Sequence, residues 1–138
     1  TKEISNVDKN EEIIFMGWMM AGRIQGLKKV RNLKVKAVCA TGTARYAEPS
    51  TEAVAARNKI ESLPFFYLRG GCLPLKDIKG MDKFMLSMFV KMLKKRKDKD
   101  EETLEAIDHI ENGFDGVKEE NLQPVLDWFE NMKQETEQ

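Results

Sequence analysis

The stretch Glu12–Asn32, EIIFMGWMMAGRIQGLKKVRN, decides how the rest of the chain is read. Ile13, Ile14, Phe15 and Met16 run together without polar alternation, the pattern of a strand covered on both faces. The spacing predicts that this strand ends at Gly17-Trp18 and that a tight loop rich in Gly and Met follows. Gly22 is then expected to reopen the chain into an amphipathic helix presenting Ile24, Leu27 and Val30 to one side. Open α/β sheets bind ligands at such junctions, beyond the carboxyl ends of their strands.

Working outward, Val35–Thr41 (VKAVCAT) reads as a second strand, apolar on both faces and broken at Thr41-Gly42-Thr43. A helix is expected over about 50–60, with Ser50 or Thr51 as its cap, and a third strand over Pro64–Arg69. Strands separated by helix-length spacers point to a parallel sheet with right-handed crossovers. Further on, Asp82–Lys95 carries Met81, Phe84, Met85, Met88, Phe89, Met92 and Leu93 at helical spacing and ends in Lys94-Lys95-Arg96-Lys97. Two readings stay open for this stretch: a helix covering a core, or an interfacial helix touching a membrane or a lipophilic substrate. Glu101–Asn112 is a shorter helix stopped by Gly113. A last helix over 119–134 tolerates Pro124 in its first turn and presents Leu122, Val125, Leu126, Phe129 and Met132.

The 138 residues suit one domain with a real core, and 23 basic residues balance 23 acidic ones. That balance gives no global pull toward nucleic acid, and none is expected as a partner. Cys39 and Cys72 stand apart, Cys39 in an apolar run, which favours a reducing compartment over a disulfide scaffold. The polar lead-in over 1–11 and the lack of any long apolar run point to a cytoplasmic protein, peripheral to a membrane if the Met-rich helix is interfacial. One histidine and two separated cysteines do not make a zinc site, so no metal is expected. His109 lies among Glu105, Asp108 and Glu111, where a solvated role is expected, and no residue is assigned as catalytic.

Trp18 and Tyr46, with the small residues Gly17, Ala21, Gly22, Gly42 and Ala44, would let backbone N–H groups approach a flat heteroaromatic ligand along one edge of the sheet. Equally, Trp18 would pack under a neighbouring helix while the glycines make turns. No glycine-rich or hydroxyl-rich phosphate loop precedes any helix.

The succession Ile13–Val30 (IIFMGWMMAGRIQGLKKV), Val35–Gly42 (VKAVCATG), Phe65–Gly71 (FFYLRGG) and Leu75–Lys95 (LKDIKGMDKFMLSMFVKMLKK) resembles flavodoxin-domain proteins of the protoporphyrinogen-dehydrogenase type over about residues 8–134. The most specific part is FYLRGG followed by DKFMLSMFVKMLK. The resemblance implies a five-stranded parallel sheet, order 2-1-3-4-5, that binds FMN at its loops. Residues 13–69 would supply its third, fourth and fifth strands, while the first strand, phosphate loop, first helix and second strand are not in this sequence. The expected fold is therefore α/β: a truncated flavodoxin-like α-β-α domain over 1–138, with a parallel sheet of about three strands. Its parts are a lead-in over 1–11, a Met-rich inserted helical region over 77–113 and the C-terminal helix over 119–134.

By the same resemblance the FMN-flanking residues are Gly17, Trp18, Met19, Met20, Ala21 and Gly22 in one loop, and Thr41, Gly42, Thr43, Ala44 and Tyr46 in the other. Losing the phosphate loop removes several charge-assisted hydrogen bonds of about 1.5–3 kcal/mol each, so weak or no FMN binding is expected from this chain alone. The implied function is that of an FMN-dependent electron-transfer or oxidoreductase family. The alternative is a non-enzymatic, homo-oligomeric interaction module on a degenerate scaffold. In the truncated fold Ile13–Met16 becomes an open edge, and a homodimer through it and the C-terminal helix, or a separate chain supplying the missing half, would cover it.

Overall fold

The structure, a computed structural model, describes residues 6–44 and 50–137. Strand β1 runs over Glu12–Met20, straight through Gly17-Trp18 where the sequence placed its end. Ala21 and Gly22, at φ 50° and 74°, then make a two-residue turn into β2, Arg23–Ile24. Met19 lies opposite Ile24 and Met20 opposite Arg23 in antiparallel register. Two consecutive positive φ angles are what a hairpin needs to match the strand twist. The expected helix from Gly22 is therefore corrected to a hairpin followed by a single 3-10 turn over Leu27–Val30, entered through Gly26 in the left-handed region. The spacing of three between Ile24, Leu27 and Val30 misled because a 3-10 turn satisfies it as well as an α-helix does. All three side chains are buried.

Strand β3 (Lys34–Gly42) pairs in parallel with β1, and β4 (Phe65–Arg69) in parallel with β3. The sheet order is β2-β1-β3-β4. The three parallel strands are those the sequence predicts, with β1 running on past its expected end, and the antiparallel β2 makes the sheet four-stranded rather than three-stranded. Helix α1 covers Thr51–Asn58, and the Ala53 N–H donates to Ser50 Oγ at 3.2 Å, so Ser50 is its cap.

Alternation across the sheet divides the packing. Val38 and Ala40 of β3 join Ile24, Leu27, Val30, Val54 of α1 and Ile60 in one buried cluster, with Ile13, Phe15 and Met19 of β1 packed against it. On the opposite face, register aligns Met16, Cys39 and Phe66 across the three parallel strands. There the Phe66 ring meets Trp128 of α4 (Gln123–Glu137) at 6.1 Å between centroids. Helices α1 and α4 therefore cover opposite faces of the sheet. Burial on the α4 side pushes the Cys39 thiol pKa up, as desolvation does.

The chain divides into two compact units, Thr1–Arg69 with Val117–Gln138, and Gly70–Gly116. In the second, α2 (Gly80–Lys94) and α3 (Glu101–Asn112) share a small core of Val90, Leu93 and Ile107. Cys72 and Phe114 exchange backbone hydrogen bonds of 2.9 and 3.1 Å. His109, expected to be solvated, is partly buried and stacks on Phe114 with centroids 4.2 Å apart, while its Nε2 faces Glu105 at 3.6 Å.

Asp100 caps α3 by accepting from the Thr103 N–H at 2.8 Å. Its hydrogen bonds from Thr103 hold the carboxyl below its usual range. A lowered carboxylate pKa adds stability that is present above the ordinary carboxylate range and fades as pH falls through the lowered value. Asp100→Ala is accordingly expected to reduce the thermal midpoint at neutral pH, with the gap to the parent closing in acid. Equal midpoints at pH 7 would deny the cap any role.

Candidate functional site

Two groups of residues assigned by the sequence to FMN do come together. Gly17 lies opposite Ala40 and Trp18 opposite Thr41 on adjacent parallel strands. The Thr41 hydroxyl reaches the Gly17 carbonyl at 3.5 Å. The first group is not a loop, however. Gly17, Trp18, Met19 and Met20 belong to β1, and only Ala21 and Gly22 form the turn. Thr41 and Gly42 close β3, Thr43 and Ala44 follow it, and Tyr46 lies outside the described residues.

The chain's own atoms fill the space beside the key glycines. A Cβ on Gly17 would sit 2.7 Å from the Phe15 ring and 2.9 Å from the Gln25 carbonyl oxygen. On Gly42 it would sit 2.9 Å from the Tyr67 hydroxyl, which itself donates to the Ala44 carbonyl at 2.8 Å. These glycines serve close internal packing.

The other face of β1 is bare. Ile14, Met16, Trp18 and Met20 alternate with the core-facing residues and are 38%, 66%, 56% and 50% exposed. The sequence expectation that this strand is covered on both faces is therefore corrected: within one chain it is covered on one. Among the described residues the second edge of β1 is paired only at its C-terminal end, where Met19 and Met20 face the short β2 and the Trp18 carbonyl accepts from the Gln25 N–H at 2.9 Å. Helix α4 stands on the same sheet face, through Trp128 on Phe66. It half-buries Val125, Trp128 and Met132, whereas Leu122, Leu126 and Phe129 stay exposed, although the sequence assigned all but Trp128 to one buried seam.

No family model, curated protein or solved structure matches this chain. Among the described residues no three His, Cys, Asp or Glu side chains gather to hold a metal ion. No helix among them is long and apolar enough to cross a membrane. Helix α2 buries Val90 and Leu93 and exposes Met81, Phe84, Met85, Met88, Phe89 and Met92.

One feature escaped the sequence reading altogether. Beside β2, the 3-10 turn and the end of α1 line a cleft of about 370 Å³ that draws on Arg23, Lys28, Lys29, Arg31 and Arg57. A signal was available, since from Ile13 to Ala47 the chain carries seven Lys or Arg residues and no Asp or Glu. The balanced total charge hid it.

Proposed function

We propose that this chain is a self-associating interaction module on a flavodoxin-like scaffold, and that by itself it holds no FMN. The observation that carries the reading is the bare row Ile14, Met16, Trp18 and Met20 on a strand whose sequence is apolar on both sides. Solvated sheet faces alternate apolar with polar residues, so a continuous apolar run marks a face that is covered in the working state.

The occupant is a second copy. The bare strand and the exposed stripe Leu122, Leu126 and Phe129 lie on the same face of the sheet. A twofold axis between them sets the partner's α4 over β1 and packs the two α4 stripes against each other. These seven side chains expose on the order of 700 Å², close to the ~800 Å² per partner that a stable interface buries.

Against FMN stand the filled spaces beside Gly17 and Gly42 and the strand conformation of Gly17–Met20. The residues present do not fit the cofactor. Addition of FMN to the purified chain is expected to leave flavin absorbance and fluorescence unchanged, and stoichiometric quenching would reject this part of the reading. Self-association has an internal reporter in Trp18. Its emission is expected to shift to the red on dilution, as the indole returns to water, and the shift should vanish in Trp18→Phe. Emission independent of concentration in the parent would count against the dimer.

Helix α2 favours a second reading, contact with an anionic membrane surface. Six exposed Met and Phe side chains are followed by Lys94, Lys95, Arg96, Lys97 and Lys99, the composition of an interfacial helix. On this reading the chain floats with vesicles rich in phosphatidylserine, and Phe84→Asp/Phe89→Asp abolishes flotation. Equal, negligible flotation of both proteins would end it.

A further inference from the structure

The cleft beside β2 lies on the α1 side of the sheet, away from the bare face of β1. Five cations line it, Arg23, Lys28, Lys29, Arg31 and Arg57, and no carboxylate does. None of the five makes an ion pair among the described residues. Two of the guanidinium groups are held in place by backbone instead: Arg57 donates to the Ala21 carbonyl at 2.9 Å and Arg31 to the Asn58 carbonyl at 3.2 Å. Buried Asn58 ties the cleft walls together, accepting from the Ile24 N–H at 2.9 Å and donating to the Gly22 carbonyl at 2.9 Å. The cationic rim thus stands on a fixed frame.

Like charges gathered around one concavity repel one another. Five positive charges around one concavity, with no carboxylate paired to them among the described residues, favour a counter-ion there. A single phosphate dianion would leave most of that charge uncompensated. Guanidinium forks match phosphate oxygens two at a time, and a volume of about 370 Å³ suits a small ligand rather than a duplex. We propose that this cleft binds a ligand carrying two or more adjacent phosphate groups.

The phosphate groups could belong to a small molecule or to a nucleic-acid backbone, and the cleft's dimensions favour the former. The test titrates the full chain calorimetrically with inorganic tripolyphosphate, with orthophosphate and with a single-stranded oligonucleotide series of increasing length. Saturable binding of tripolyphosphate is expected, at least about tenfold tighter than orthophosphate and weakening as salt is raised. The triple variant Arg23→Gln/Lys28→Gln/Lys29→Gln should lose at least about tenfold in affinity, whereas Lys34→Gln, outside the cleft, should lose nothing. With no ligand present the triple variant should melt no lower than the parent, because repulsion has been relieved; this separates lost binding from lost folding. Three results would overturn the proposal: no binding of tripolyphosphate, equal losses in the cleft and control variants, or oligonucleotide binding that strengthens with length and exceeds that of tripolyphosphate.

Discussion

Met16→Glu and Trp18→Glu, introduced together, are expected to turn a dimer into a folded monomer. Both side chains are more than half exposed in the single chain, so the carboxylates enter water there and the fold should lose no more than about 0.5 kcal/mol. In the dimer each copy would bury two charges against apolar partners, without counter-ions. Even a few kcal/mol for such groups, counted on both sides of a twofold axis, raises the dissociation constant by roughly a thousandfold or more. Sedimentation velocity reads the change in mass, and circular dichroism with thermal melting reads the intact fold. A double variant that associates as strongly as its parent would place the interface elsewhere.

The second large effect falls on Asn58. Although polar, it is only 8% exposed, and its amide is fully used: Oδ1 accepts from Ile24, while Nδ2 donates to the carbonyls of Gly22 at 2.9 Å and Val54 at 2.8 Å. Asn58→Ala leaves the Ile24 N–H without its partner in a buried setting and the Gly22 carbonyl without its partner in a half-buried one. An orphaned buried group costs about 1–3 kcal/mol, so a loss of roughly 3 kcal/mol is expected, a large share of the 5–15 kcal/mol that small domains possess. Urea unfolding should show a lower midpoint with an unchanged slope, since the surface exposed on unfolding stays the same. A change below about 0.5 kcal/mol would mean that the hairpin is held by its turn alone.

The fold was legible wherever pattern and spacing had a single solution. The β3 and β4 runs, the span of α3 and the place of Pro124 all follow from local chemistry that packing did not override, and the structure chooses Ser50 over Thr51 as the cap of α1. The hairpin was not legible, because Ala21 at positive φ is a poor signal for a turn and the apolar spacing of three fits two kinds of helix. For the candidate site, the sequence placed Gly17, Trp18, Thr41 and Gly42 near one another. It could not show that Phe15 and Tyr67 fill the space beside the glycines, which is a matter of side chains packed across the sheet. The run of Ile13 to Met16 has the pattern of a strand covered on both faces, and the single chain covers one. That discrepancy, between what the sequence asks for and what one copy supplies, is the ground for a second copy.

Equilibrium sedimentation of the unmodified chain tests this most directly. A mass twice that of the chain is expected at micromolar concentration, falling toward one chain mass on dilution. A single chain mass maintained to high-micromolar concentration would contradict it.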